Sequence, residues 1–191
     1  SALYRASRDF DAAREWGERA RQLAEKSEEP TEQARAKQSL AEVERAQGNF
    51  ERARRLFEAA LALADRRGAA ECMTGLGHVF SEWGQYDAAR QRFEEALAIF
   101  QSLGDRQNES ECQREIGLTH WRQGAYDAAH QAFAASLEIC RAIGDRQGEA
   151  QSLNNMGLTH IAQGDQPETR RCWEASVALY RSLGLDKQAG G

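Results

Sequence analysis

Two histidines in identical local sequences are the first candidates for chemistry in this chain. His120 and His160 each end a Gly-Leu-Thr-His segment, and 40 residues separate them. An imidazole can bind a metal ion or act as a general base, but neither histidine has a carboxylate or a cysteine beside it at the spacing that metal ligands need. We therefore expect both to be packing residues, and the isolated His78 and His130 receive no chemical role.

The cysteines also show no metal-binding or disulfide pattern. Cys72, Cys112, Cys140 and Cys172 include no Cys-x-x-Cys pair, so a zinc site is not indicated. Cys72 and Cys112 occupy equivalent places about 40 residues apart. If those places lie on neighbouring helices, whose axes are ~8–10 Å apart, the Cα atoms exceed the ~7 Å that a disulfide permits. We expect small buried thiols.

No set of residues forms a recognisable active site. A nucleophile, a base and an acid cannot be placed on one face, and the glycine pair Gly75-x-Gly77 follows no strand that would make it a phosphate-binding loop. The sequence therefore predicts no enzyme, no catalytic residue, no metal and no cofactor.

Composition argues against two classes of partner. The chain has 191 residues, of which 25 are basic and 30 acidic, for a net charge of −5, whereas a nucleic-acid-binding surface is basic. No run approaches the ~20 apolar residues that a membrane helix needs. Nothing near Ser1 has the pattern of a signal peptide, so the cytoplasm is the expected location.

The chain repeats itself with a period of about 40 residues. Equivalent turns are marked by Gly48, Gly84, Gly124 and Gly164. A Gly-Asp-Arg-Gln segment begins at Gly104 and again at Gly144. Between these markers apolar residues recur at the helical spacing i, i+3, i+4, i+7, and no run alternates with the period of a strand. Each repeat is therefore predicted to be two antiparallel helices joined by a short glycine turn.

The residues within one repeat follow a known pattern. Residues 73–96 carry Met-x-x-Leu-Gly-x-x-Phe, a turn glycine, and Ala-x-x-x-Phe-x-x-Ala, and the pattern recurs in register. It resembles the tetratricopeptide repeat (TPR), in a 40-residue form similar to that of kinesin light chain and bacterial STAND-type regulators. The resemblance implies an all-α fold, a right-handed superhelical solenoid of antiparallel helical hairpins. The end units depart from it, because Gly17 replaces an aromatic residue, while Gln166 and Thr169 replace an aromatic and a small residue.

The expected organisation is one array. Residues 1–29 form a partial first repeat, residues 30–68, 69–105, 106–145 and 146–184 form the second to fifth repeats, and residues 185–191 are a tail. This pattern of whole and partial units is what we expect of a piece excised from a longer protein. Asp105 and Asp145 are expected to cap helix N-termini, and Pro30 and Pro167 fit the first turns of helices.

Glycines inside the predicted helices indicate close packing between paired helices. A mid-helix glycine costs ~1 kcal/mol relative to alanine, so Gly77, Gly117 and Gly157 need a compensating contact. We expect the partner helix to supply it through the aromatic residues Phe93 and Phe133. The charged side chains of the second helices are expected to form a solvated outer face with i, i+4 pairing; examples are Arg52, Arg54, Arg55 and Glu58.

The resemblance also implies a binding face, because in this family the first helices line a concave groove where partners dock. The residues assigned to it are Gln38, His78, Arg114, Glu115, Leu118, Trp121, Arg122, Asn154, Asn155, Leu158 and Ile161. Its late part contains an apolar patch with a polar rim, as a peptide or helix site requires. Alternatively, the patch is covered by superhelix curvature or by a neighbour. A carboxylate clamp is disfavoured, because Thr74, His78 and Glu115 stand where chaperone-binding relatives need Lys or Asn.

The expected function is a non-catalytic protein–protein interaction scaffold that binds a peptide or partner helix in the concave groove. The alternative is a ligand- or peptide-sensing segment of a larger signalling or transcriptional regulator, and an enzyme ranks third. The expected partner is a protein or peptide, with no nucleic acid and no membrane. Since a repeat array needs polar caps, exposed end repeats could also form a homodimer.

Overall fold

The computed structural model describes residues 29–185, and its packing divides the chain into two compact units. The boundary between the units falls between Ile99 and Phe100. The partial repeat expected at residues 1–29, apart from Glu29, and the tail beyond Leu185 lie outside the described residues.

Residues 29–185 contain eight α-helices and no strand. In chain order they are α1 (Pro30–Ala46), α2 (Phe50–Leu61), α3 (Arg66–Glu82), α4 (Tyr86–Leu103), α5 (Arg106–Arg122), α6 (Tyr126–Ile143), α7 (Arg146–Gln163) and α8 (Gln166–Ser182). In the first unit α1 packs on α2 and α2 on α3, and in the second unit α5, α6, α7 and α8 pack in succession. The prediction of an all-α solenoid of helical hairpins is confirmed.

Short turns between the helices explain where each helix begins and ends. Gly124 and Gly144 have φ of 77° and 73°, a left-handed conformation that a side chain would strain. The predicted caps are confirmed, because the Asp105 and Asp145 carboxylates accept hydrogen bonds from the backbone N–H of the third residue after each. Pro30 and Pro167 lie in first turns, as expected.

One repeat boundary differs from the expectation. The third repeat was expected to begin at residue 69, but α3 begins at Arg66, where the Asp65 carboxylate accepts a hydrogen bond from Gly68 N. The preceding helix α2 has only 12 residues, whereas the other helices have 17 or 18. Because α2 is shorter than the other second helices, the N-cap residue of α3, Asp65, comes earlier in the sequence than the 40-residue period predicts.

Glycines permit close helix contact in both units. In the first unit, a Cβ on Gly77 would lie 2.5 Å from a ring carbon of Phe93, and a Cβ on Gly75 would overlap the ring of Phe57. The seam glycine at position 77 is therefore explained as expected. Sequence reasoning missed the role of Gly75. This glycine makes room for Phe57 of the preceding hairpin, whereas Gly77 makes room for Phe93 of its own hairpin.

The same packing recurs in the second unit. Gly117 faces Phe133, which is fully buried. Gly157 faces Trp173, whose indole N–H donates to the Asn154 carbonyl at 3.3 Å. Aromatic rings on the second helices thus rest directly against the backbone of the first helices.

Arg52 is exposed on the outer face, as expected, but its ion pair crosses to another helix and is not an i, i+4 pair. Its Nε lies 3.1 Å from Oε1 of Glu44, a carboxylate with no solvent exposure, and Asn49 Nδ2 donates to the other oxygen at 2.9 Å. Arg54 behaves as expected, pairing along its own helix with Glu58. A buried carboxylate needs a cation, so Arg52 is part of the packing of α1 on α2.

All four cysteines are buried and form no disulfide, which confirms the expectation of small buried thiols for Cys72 and Cys112. Burial raises the pKa of the Cys72 thiol to about 11. The thiol is therefore protonated at neutral pH and unsuited to nucleophilic chemistry. No helix among residues 29–185 is long and apolar enough to cross a membrane.

Candidate functional site

The predicted groove residues are divided between the two units. Gln38 lies on α1 and His78 on α3, both in the first unit. The others lie on α5 and α7 of the second unit, and we call this set the α5–α7 groove: Arg114, Glu115, Leu118, Trp121, Arg122, Asn154, Asn155, Leu158 and Ile161. The second unit therefore carries a candidate site by itself.

The apolar patch of the groove is partly covered and partly open. The Trp121 indole leans across to α7, where its N–H donates to the Leu158 carbonyl at 3.5 Å. Leu118, Trp121 and Leu158 are half-buried, and Ile161 is 43% exposed. Within the described residues the patch is therefore an apolar surface whose Trp121 side chain is held by a hydrogen bond and whose Ile161 side chain is exposed to solvent. Such a surface could accept an apolar side chain of a ligand.

Arg114 and Glu115 do not both point into the groove. Glu115 is buried, and its Oε1 lies 2.8 Å from Arg114 Nη2, while Glu111 Oε1 lies 3.8 Å from the same nitrogen. The ion pair offsets the cost of burying the Glu115 carboxylate. Arg114 is half-buried and borders the groove as a cation, as does the exposed Arg122.

A polar cavity beside Arg114 was not predicted from the sequence. Its volume is about 320 Å³. Its lining residues are Gln107, Ser110, Glu111, Arg114, Ser136, Cys140, Asp145, Gln147, Gly148 and Gln151. The Asp145 carboxylate at its wall accepts hydrogen bonds from Gln107 Nε2 at 3.0 Å and from Gly148 N at 2.9 Å. The cavity thus combines a fixed anion, a guanidinium and several amides.

Cavity and patch lie along one stripe of the two inner helices. On α5 the stripe passes from Gln107 through Arg114 and Leu118 to Trp121, and on α7 it passes from Gln151 to Leu158. Helical rise makes this stripe about 20 Å long. A polar compartment stands at the N-terminal ends of both helices, and an apolar one stands near their C-terminal ends.

The histidines form a contact that the sequence did not reveal. His130 was treated as isolated, but its ring meets that of His160 edge to face, with centroids 5.1 Å apart. Burial lowers the pKa of His130, the electrostatic interaction with His160 lowers it further, and Asp127 opposes both effects. Residues 29–185 contain no cluster of three or more groups that could hold a metal ion. His78 packs edge to face on Phe93, with centroids 5.2 Å apart.

Comparison with known families now identifies the architecture. The sequence profile described as "Tetratricopeptide repeat" matches residues 1–66, 32–102, 84–142 and 109–182. The chain belongs to the tetratricopeptide repeat family. Among curated protein sequences, none matches it significantly.

Solved TPR structures share the fold at low sequence identity. BtubC (BKLC) from P. vanneervenii aligns with a TM-score of 0.75 at 19% identity, over 96% of this chain and 86% of that one. Aspartyl phosphate phosphatase F from Bacillus subtilis aligns with a TM-score of 0.84 at 15% identity, over 95% of this chain and 50% of that one. YrrB, described as a TPR protein with an unusual peptide-binding site, aligns with a TM-score of 0.60 at 19% identity, over 98% of this chain and 87% of that one.

The TPR register relates the cavity beside Arg114 to a smaller space at an equivalent place in the first unit. Gln38 and Arg114 occupy the same position of their repeats. In the first unit, Gln38 Nε2 donates to the Gly68 carbonyl at 3.2 Å and contacts Cys72 Sγ at 3.0 Å, and the space beside it shrinks to about 50 Å³. Arg114 turns toward its neighbouring carboxylates, so the corresponding space stays open. Comparing this position across the repeats is the sequence signal that could have indicated the cavity.

Proposed function

We propose that this chain is a non-catalytic TPR interaction module that binds a short peptide segment or a partner helix along the α5–α7 groove. The observation that carries the proposal is the stripe on which an open polar cavity and an apolar patch follow each other over about 20 Å. Membership in a repeat family that generally serves as an interaction scaffold supports it.

The apolar patch supplies the anchor position. Trp121 is held by its hydrogen bond to the Leu158 carbonyl, so a ligand side chain meets a surface that is already ordered. Preorganised aromatic and aliphatic positions contribute most of the affinity at small interfaces. An apolar ligand side chain at this place would cover Ile161, the exposed edge of the patch.

The polar cavity supplies specificity. Its volume of about 320 Å³ has room for one polar side chain of a ligand, and Arg114, Gln147 and Gln151 offer donors around it. A ligand without a matching polar group would cover the amides of Gln147 and Gln151 without bonding to them, and this desolvation costs more than the bonds contribute. We infer that the bound sequence has an apolar residue near one end and a polar residue near the other.

Two further expectations belong to the proposal. A reducing compartment such as the cytoplasm is supported by the four cysteines, which form no disulfide. The second candidate function is a peptide-sensing segment of a larger regulator. It is favoured by the fold shared with a Rap protein complexed with competence and sporulation factor, which aligns with a TM-score of 0.72 at 18% identity over 86% of this chain and 48% of that one.

Peptide selection with a charge-matched pair of variants tests the groove. Random peptides of about 16 residues are selected on the full chain, since a helix of that length would span the stripe, and affinities are measured by fluorescence anisotropy. Ile161→Asp should weaken binding at least tenfold, because it places a charge on the open edge of the patch. Ile143→Asp is the control, because Ile143 is similarly exposed, at 39%, and lies at the end of α6 in the same unit. Equal loss in both variants, or in neither, would refute the groove as the site.

The length of the minimal peptide separates the two binding modes. An extended segment covers 20 Å with about six residues, whereas a helix needs about 14. Truncation that retains affinity down to about six residues indicates an extended peptide, and loss of binding on central proline substitution of a longer one indicates a helix.

The role of the cavity is tested by giving the second unit the residues that fill the equivalent space in the first unit. Arg114→Gln together with Glu115→Ser recreates the Gln38-Ser39 pair of the first unit, without leaving the buried Glu115 carboxylate alone. The copied amide should reach the Gly148 carbonyl and close the cavity. We expect a folded protein that loses its preference for a polar residue in the peptide and keeps the apolar anchor. Unchanged peptide selectivity would show that the cavity takes no part.

A further inference from the structure

The outward surface of α8 is an apolar face without a covering helix among the described residues. It forms a concavity of about 490 Å³. The residues that matter are Arg170, Trp173, Glu174, Val177, Ala178 and Arg181. Their spacing along the chain places them on one stripe of the helix.

The equivalent residues of α6 show that a neighbouring helix normally packs on such a face. Phe133 and Leu137 stand at the positions that Trp173 and Val177 occupy 40 residues later. α6 packs against both α5 and α7, and there Phe133 is 0% and Leu137 7% exposed. On α8 both Trp173 and Val177 remain half-buried. The α8 face therefore retains apolar area that the repeat pattern normally buries against a helix.

The charges around this face have no ion-pair partner within residues 29–185. Arg170, Glu174 and Arg181 are exposed and form no ion pair there. Charges on the outer side of α2 behave differently, because Arg54 bonds to both Glu51 and Glu58. The α8 face thus combines apolar side chains with charged side chains of both signs, and the positions of the charges along the helix axis are set by their spacing in the sequence.

We propose that this face binds the same face of a second copy, with the two α8 helices antiparallel and crossing between Val177 and Ala178. Glu174 and Arg181 are equidistant from that point, each about 5 Å along the helix axis. A two-fold axis there sets Glu174 of each copy opposite Arg181 of the other. The two reciprocal ion pairs flank a centre of Val177 and Ala178, side chains small enough for close helix contact.

The proposal concerns a surface on α8 and leaves the α5–α7 groove untouched. A dimer formed this way carries two grooves, so it can bind two segments of a partner at once. Failure of peptide binding and failure of dimerisation are therefore independent results.

Charge exchange in the full chain tests the interface. The mass of the wild-type protein is followed by sedimentation and light scattering from about 1 µM to about 1 mM at low salt, a range suited to a small interface. We expect a concentration-dependent rise from monomer to dimer. Glu174→Arg and Arg181→Glu should each raise the dissociation constant at least tenfold, because each sets like charges opposite each other. The double variant Glu174→Arg/Arg181→Glu should return it to within about threefold of wild type.

Arg170→Glu is the matched control, because Arg170 is also exposed and lies on the same stripe, but farther from the crossing point than Glu174. It should change the dissociation constant by less than about threefold. All these substitutions are at exposed positions, so circular dichroism should show unchanged helix content. A monomer at every concentration, a double variant that fails to recover, or a larger effect from Arg170→Glu than from Glu174→Arg would overturn the proposal.

Discussion

Substitution of Gly117 by alanine tests the idea that the paired helices are held together at their backbones. By helix propensity alone, this change should stabilise α5 by ~1 kcal/mol. In the structure the added Cβ would lie 2.5 Å and 2.6 Å from two ring carbons of Phe133. Because ordinary carbon contacts are about 3.5–4.0 Å, the ring and the backbone would have to separate by about 1 Å.

The balance of these two effects sets the expected magnitude. Phe133 has no solvent exposure, so its ring has no free space to enter, and overpacking of this kind costs about 1–3 kcal/mol. After subtraction of the helix-propensity gain of ~1 kcal/mol, we expect Gly117→Ala to lower the free energy of unfolding by up to about 2 kcal/mol. For a chain of this length the melting temperature should fall by up to about 4–8 °C. Gly117→Leu should be worse and should splay the hairpin.

Urea unfolding monitored by circular dichroism measures the effect, and a double-mutant cycle assigns its cause. Phe133→Leu removes the ring, so Gly117→Ala in that background should cost at least about 1 kcal/mol less than in the wild type. Gly68→Ala is the control, since the nearest atoms to its Cβ are 3.1 Å and 3.2 Å away and belong to the side chains of Asp65 and Ala64, just before α3. It should keep part of the ~1 kcal/mol helix-propensity gain and should not lower stability by more than about 0.5 kcal/mol. Additive effects of the two substitutions, or a more stable Gly117→Ala protein, would refute close backbone packing at this seam.

Two further predictions concern buried charge. Arg52→Ala should lower the free energy of unfolding by about 2–3 kcal/mol, because it removes the Arg52 guanidinium from the buried Glu44 carboxylate and leaves the Asn49 amide there. Adding Glu44→Gln should recover part of the loss. A loss below about 0.5 kcal/mol in Arg52→Ala would contradict the stabilising role of this ion pair. The lowered pKa of His130 means that the unfolded chain binds more protons than the folded one as pH falls through the ordinary value of 6.5, so the free energy of unfolding should decrease below that pH. His130→Gln should reduce the slope of this decrease, measured by urea titrations between about pH 7 and pH 5. An identical slope in the variant would contradict a lowered pKa of His130.

Local features of the fold could be predicted because they depend on residues close together in sequence. A cap such as Asp145 requires only a carboxylate three residues before a backbone N–H, and a turn such as Gly124 requires a residue that tolerates positive φ. The contact of Gly117 with Phe133 joins two helices of one hairpin, and the short turn between them leaves few alternative registers. These features follow directly from spacing.

The candidate site was less accessible to sequence reasoning. The residue types of the apolar patch were recognisable, but the hydrogen bond from Trp121 to the Leu158 carbonyl depends on the rotamer of one side chain across two helices. The cavity beside Arg114 arises because this guanidinium turns toward Glu115, whereas Gln38 at the equivalent position turns toward the next repeat. Each of these side-chain conformations depends on which hydrogen-bond or ion-pair partners lie within reach, and in the folded protein some of those partners come from residues that are distant in sequence.

The sequence by itself determined the repeat, its helical period, its turns and caps, and the family to which the chain belongs. Only the tertiary structure decided that Gly75 receives Phe57 from the preceding hairpin, that Arg52 reaches the buried Glu44, and that His130 meets His160. The physical reason is the range of the interactions. Turns and caps are set by the backbone within a few residues, whereas contacts between successive helices depend on how complete side chains pack when the hairpins stack.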